Sequence, residues 1–76
     1  MFSLNDSLNY YYFRGVTDMR KGFDALSGVV RNEMQRNPLS GEVYIFMNKP
    51  RTTVKLLRWE SGGLVIYHKR REQGRF

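Results

Sequence analysis

The residues able to do chemistry in this chain are few, and most of them are cations. There is one histidine, His68, and no cysteine. That excludes a disulfide framework, a thiolate nucleophile and a thiolate metal site, and it leaves no second histidine to build a zinc site. Asp18 and Asp24 lie six positions apart. On a helix that is about 240° around the axis, so the two carboxylates do not converge. Glu33, Glu42 and Glu60 fall on different segments, and nothing arranges them as a metal-binding set. Ser61 sits before Gly62-Gly63 in what reads as a hairpin turn, with no base in sequence reach. A lone histidine near a strand end is more often a surface or phosphate-contact residue than a general base. The abundant chemistry is that of Lys49, Arg51, Lys55, Arg58, Lys69, Arg70 and Arg71. Arginine's planar fork matches phosphate oxygens bidentately. The expectation is polyanion binding without catalytic residues, metal, cofactor or small-molecule substrate.

The charge is concentrated at one end of the chain. Residues 1–48 hold five basic and five acidic residues, a net of zero. Residues 49–76 hold eight basic residues and two acidic ones, which accounts for the whole formal charge of +6. Such asymmetry points to a nucleic acid or an acidic protein as partner. The plain alternative is a solvated basic surface that aids solubility.

A chain of 76 residues with 41% hydrophobic composition supports one modest core. That excludes a two-domain enzyme and any large cofactor fold. The N-terminus lacks the basic and apolar regions of a secretory signal, and no apolar run reaches the roughly 20 residues of a membrane span. The expected location is cytoplasmic, nucleoid-associated when bound to DNA. Residues 1–8 are mixed and polar and are expected to be flexible; 9–76 reads as a single domain.

The elements that must position these cations follow from periodicity. Asn9 to Phe13 reads as a short aromatic strand. Thr17 or Asp18 can cap a helix whose stripe is Met19, Phe23, Leu26, Val30 and Met34, ending at Asn37-Pro38. Gly22 and Gly28 inside that stripe each cost about 1 kcal/mol against alanine, which close approach of the helix to a sheet would offset. Val43 to Met47, Val54 to Trp59 and Leu64 to His68 read as strands joined by short connections. The order is β-α-β-β-β, an α+β fold with one amphipathic helix packed on a small, mainly antiparallel sheet.

This meander makes a geometric prediction. The loop after the strand at 43–47 and the exit of the strand at 64–68 lie at the same end of the sheet. Lys49 and Arg51 should therefore meet Lys69, Arg70 and Arg71, with Lys55 and Arg58 extending the track. Five cations crowded together repel one another, and a phosphate backbone relieves that repulsion while releasing its counterions. The strands are apolar on both faces. One face can pack on the helix; the other, depending on register, would present Tyr44, Phe46, Leu57, Trp59, Val65 and Tyr67 as a protein interface. Coverage by the N-terminal segment or by a second copy is a plainer expectation for that face than base stacking. Arg20, Lys21 and Arg31 on the helix are balanced by Asp18, Asp24 and Glu33, which argues against a groove-reading helix.

Five blocks carry a resemblance. Asp18-Met-Arg-Lys-Gly-Phe-Asp24-Ala-Leu26, Gly41-Glu-Val-Tyr-Ile-Phe46, Lys55-Leu-Leu-Arg-Trp59, Tyr67-His-Lys-Arg70 and Gly74-Arg-Phe76 resemble, in order and spacing, the TnpB-type, Orf2-like accessory proteins of the insertion-sequence sixty-six family of bacterial transposons. The resemblance spans roughly residues 10–76. Glu60 stands where that family usually has aspartate, Arg71 where an aliphatic residue is common, and the chain stops at Phe76 where family members commonly continue, so that a copy shortened at the C-terminus is one open expectation. The resemblance implies an accessory role in DNA transposition beside a separate transposase, and it marks Asp18, Arg20, Lys21, Gly22 and Asp24 as a motif of unassigned role. The expected partners are DNA and the transposase of the same element, with self-association open and no membrane. Two rival readings stay open. One is a protein-protein adaptor that uses Tyr44, Phe46, Trp59 and Tyr67 without touching DNA. The other is a small basic ribonuclease, for which Arg51, His68 and Arg71 would have to converge on one phosphate.

Overall fold

The computed structural model describes residues 8–76; the flexibility expected of the first eight residues falls, but for Leu8, outside them. The elements are β1 (Tyr10–Tyr12), α1 (Phe23–Asn32), β2 (Val43–Met47), β3 (Thr53–Glu60) and β4 (Gly63–Arg70). They form one four-stranded sheet in the order β1-β2-β3-β4. The last three strands make the expected antiparallel meander, whereas β1 joins β2 in parallel. A parallel neighbour requires a crossover, and α1 supplies it. Backbone bonds from Val43 N–H to Asn9 O and from Phe13 N–H to Ile45 O, both 2.9 Å, extend this pairing past the ends of β1.

Register decides which side chains meet the helix. Tyr44 faces Leu57, Phe46 faces Lys55, and these face Ile66 and His68 in turn. With alternation along each strand, this row is the helix-side face. Leu26, Val29 and Val30 of α1 close on Tyr44, Phe46 and Leu57, with Tyr11, Phe13, Met34, Leu64 and Ile66 packed around them. Full burial of side chains of this size contributes about 1.5–3 kcal/mol each. The Tyr11 and Tyr44 rings stack at 5.9 Å between centroids, and Phe13 meets Phe46 at 6.0 Å. Burial of the Tyr44 hydroxyl is compensated: it donates to Asn37 O at 2.9 Å and lies 3.1 Å from Ser40 Oγ and Glu42 Oε1.

The sequence reading misplaces the helix ends. Asp18 caps a turn instead of the helix: its Oδ1 accepts the Arg20 N–H at 2.9 Å and its carbonyl accepts the Lys21 N–H. Thr17 is held to the sheet, its N–H donating to Met47 O at 2.9 Å. The helix starts only at Phe23, with Gly22 as an extended N-cap that makes no side-chain capping bond, so Met19 lies outside the apolar stripe. The helix stops at Asn32, before Asn37-Pro38, as the chain turns through Gln35 at φ 55 and Arg36 N–H reaches back to Val30 O. Phe23, expected in the stripe, is half exposed.

The glycine expectation also fails. A Cβ on Gly28 would meet only the Asn32 amide, at 4.0 Å, and one on Gly22 would meet nothing. Close helix–sheet approach therefore does not account for either residue. Gly28→Ala should stabilise the fold by about 0.5–1 kcal/mol, read as a higher urea midpoint at unchanged m-value. Leu26→Ala, which empties a fully buried site, should cost about 2–5 kcal/mol in the same measurement.

Candidate nucleic-acid interface

The β3–β4 ladder runs from Glu60 opposite Gly63 to Thr53 opposite Arg70. Residues far apart in sequence are thus brought to one end of the sheet. Arg71 N–H donates to Thr52 O and Phe76 N–H to Arg51 O, each at 2.7 Å. The chain after β4 therefore folds back along the β2–β3 loop, carrying Arg71 and Arg75 with it. Lys49, Arg51, Lys69, Arg70, Arg71 and Arg75 are all exposed. Lys69 and Arg70 leave opposite faces: Arg70 is on the helix side across from Thr53, and Lys69 on the other side across from Val54.

Asn48, which the sequence reading passed over, organises this end. Its Oδ1 accepts the N–H groups of Thr52 and Thr53 at 3.0 and 3.1 Å, and its Nδ2 donates to Thr52 Oγ1 at 3.1 Å. The Arg51 N–H closes the turn on Asn48 O, with Arg51 itself at φ 58. The signal in the sequence is Asn-x-Pro, since asparagine side chains bond to backbone a few residues on.

The cations are not equally available. Arg70 lies 3.2 Å from Glu72, but both side chains are exposed, so water screens the pair. Arg71 donates through Nε to Gln73 O and lies over the Phe76 ring at 5.7 Å. Two expected track residues are elsewhere. Lys55 is only 8% exposed, on the helix-side face, and its Nζ donates to Lys21 O at 2.8 Å. Arg58 lies toward the opposite end of β3, about 17 Å from Thr53 at strand rise. It donates to Gly41 O and pairs with Glu60 at 3.1 Å. The register sets Arg58 well away from the mouth of the hairpin, and Lys55, two residues inside it, is turned to the Lys21 carbonyl.

The motif Asp18–Asp24 belongs to the same end. β1 and β2 run in parallel, so both leave the sheet beside the β2–β3 loop, and the Thr17–Met47 bond fixes the chain there. Arg20 does not pair with Asp24 as the helical spacing suggests. It binds Asp18 through Nε and a terminal nitrogen at 2.6–3.1 Å. That guanidinium holds the Asp18 carboxyl down at about 2. The Lys21 ammonium makes no ion pair among the described residues.

The expected aromatic interface is corrected by register. Tyr44 and Phe46 are fully buried beneath α1 and present no surface. Trp59 is half-buried on the helix side, opposite Leu64. Tyr67 does lie on the helix-free face, its hydroxyl donating to Glu60 Oε1 at 2.6 Å. This face also carries exposed Tyr10 and Tyr12 with half-buried Ile45, Met47, Leu56 and Val65. A cleft of about 430 Å³ runs along the β1 edge, lined in part by Tyr11, Arg14, Glu33 and Arg36. One of its two arginines is already committed: Arg36 lies 3.7 Å above the Tyr11 ring and 3.2 Å from Glu42. Burial pushes the Glu42 carboxyl up, but hydrogen bonds from Tyr11, Arg36, Ser40 and Tyr44 outweigh it and hold the group below its usual range. His68 is exposed across from Lys55. Among the described residues no three histidine, cysteine, aspartate or glutamate side chains gather where they could hold a metal ion, and no helix is long and apolar enough to cross a membrane.

Comparison with known proteins places this geometry in a family. The family described as "IS66 Orf2 like protein" matches residues 8–76. An uncharacterised protein of Sinorhizobium fredii, y4hO, is 29% identical over all 76 residues, which cover 66% of its length. A second one from the same organism, y4jC, is 25% identical over 59 residues, 78% of this chain and 50% of its own. The chain thus spans between half and two thirds of these curated relatives. No solved structure matches.

The Asp18–Arg20 turn is testable by pH. Because the folded carboxyl titrates near 2 and an unfolded one near 4, the pair contributes above about pH 4 and is lost as pH falls toward 2. An NMR titration of Asp18 should show the low midpoint, and Arg20→Gln should return it to the ordinary carboxylate range.

Proposed function

The chain belongs to the IS66 Orf2-like family, and from that premise we propose that it is a non-catalytic accessory protein of DNA transposition that holds DNA phosphates on its cationic end. The family is one of accessory proteins to IS66 transposition. The observation that carries the DNA-binding reading is the pair of backbone bonds from Arg71 to Thr52 and from Phe76 to Arg51. They hold two basic segments against each other, with Asn48 stiffening the loop between them. Lys49, Arg51, Lys69, Arg70 and Arg71 are the phosphate contacts in this reading, joined by Arg75. Cations held together by backbone geometry carry a standing repulsion that a polyanion relieves, and release of DNA counterions drives the association.

The experiment is a titration of duplex DNA at 50 and 200 mM salt. Log K should fall with log salt at about 0.9 per phosphate neutralised. Arg51→Gln and Arg71→Gln should each flatten the slope by about that amount. Absence of binding at low salt overturns the reading.

A second reading rests on the helix-free face of the sheet. Tyr10 and Tyr12 are 40% and 47% exposed there, beside Ile45, Leu56 and Val65, and no helix among the described residues packs on them. This surface suits contact with the transposase of the same element. Tyr12→Asp should abolish co-purification with that transposase while leaving the DNA slope unchanged; Arg71→Gln should do the reverse.

A further inference from the structure

Two features are left without a role by a rim made of the β2–β3 loop and the β4 exit: the Asp18–Asp24 motif and the buried Lys55. They are one feature. Lys55 sits between Phe46 and His68 on the helix-side face, almost fully removed from solvent. No carboxylate pairs with it among the described residues. Its bond to protein is to the Lys21 carbonyl, 34 positions away. Burying an ammonium costs several kcal/mol unless it is well compensated, and one carbonyl uses one of its three donors. A methionine of similar length would fill the site without that cost. What the lysine adds is a fixed position for the backbone at residue 21.

That position is beside the rim. Lys55 is two residues along β3 from Thr53, about 7 Å, and Thr53 faces Arg70. Arg70 and the turn that carries Lys21 therefore flank the same end on the helix side. Within the turn, Asp18 is neutralised by Arg20, which leaves the exposed Lys21 ammonium as its uncompensated charge. We infer that the Asp18–Gly22 turn is a third wall of the phosphate-binding end, with Lys21 contacting a DNA phosphate and Lys55 acting as a positioning residue that holds Lys21 in reach. This rests on the DNA-binding reading and gives the family motif a function within it. It also sets the direction of approach: the duplex backbone lies across the end toward the helix side, over Lys21 and Arg70, with Lys69 on the far side.

The test uses the same DNA titration at two salt concentrations, on the full chain. Lys21→Gln should weaken binding and flatten the slope of log K against log salt by about 0.9. Arg31→Gln makes the same charge change in the last turn of α1, and should leave the slope as it is. Lys55→Met, which keeps the packing volume, should give the slope of Lys21→Gln even where its urea midpoint is undiminished, and Lys55→Arg should recover part of the loss. If Lys21→Gln keeps the native slope while Arg51→Gln and Arg71→Gln flatten it, the third wall is wrong and the two-segment rim stands. If the native chain fails to bind, the DNA reading itself falls. If Lys55→Met does not fold, Lys21→Gln decides the contact alone. If Lys55→Met folds with the native slope while Lys21→Gln flattens it, the positioning role is wrong.

Discussion

The geometry of the cationic end depends on a two-residue turn at the other end of the molecule. Ser61 and Gly62 both have positive φ, at 52 and 80. A two-residue hairpin of the right-twisting kind demands that combination. The turn sets Glu60 opposite Gly63, and every later pair follows, up to Thr53 opposite Arg70. Side chains alternate with period two, so a slip of one residue would send Leu57 and Ile66 to the solvent face and Arg58 and Val65 under the helix. Burial of Leu57 against Tyr44 and Leu26 therefore defends the register, and the register in turn determines which cations share one end of the sheet.

Lys55 is the price of that arrangement on the helix side. Alternation puts it on the buried face because Leu57 must be there, and the residue keeps little exposure. The carbonyl of Lys21 supplies a partner only because β1 runs parallel to β2, which brings the chain after β1 back to the hairpin mouth. Sheet order, crossover and the single bond at 2.8 Å are thus one constraint, since a β1 in the opposite direction would strand both the ammonium and the motif. The Thr17 and Ser27 hydroxyls are also buried, with no hydrogen-bond partner among the described residues.

Much of the fold was legible in the residues. Val43–Met47 is a strand at those limits, and Gly62-Gly63 announced the turn between the last two strands. That the β2–β3 loop and the exit of β4 share one end of the sheet followed from counting strand directions alone. The failures have physical causes. Periodicity ran the helix back to Met19, but a local side-chain bond from Asp18 competes with helix initiation and won. The two faces of the sheet are interchanged for Tyr44, Phe46, Leu57 and Trp59, because strands apolar on both sides carry no one-dimensional sign of which side the helix covers. Lys55 and Arg58 were counted with the track on composition; burial and a carboxylate partner are properties of the fold and are invisible in a run of basic letters.

The same repulsion that argues for a polyanion also limits how the end could have been built. Cations on long side chains over a mobile loop would drift apart, and the gain on meeting phosphate would be offset by the entropy of gathering them. Here the backbone holds them instead. Asn48 ties three groups of its own loop, Arg71 and Phe76 are bonded to Thr52 and Arg51, and Lys55 holds Lys21. The backbone ordering is already done in the unbound protein. In the proposed reading these cations address phosphates and not base edges, so such a surface would discriminate by charge density and backbone shape. Any choice among DNA sequences made with this end would have to come from how readily the duplex deforms against it or from the transposase that accompanies it.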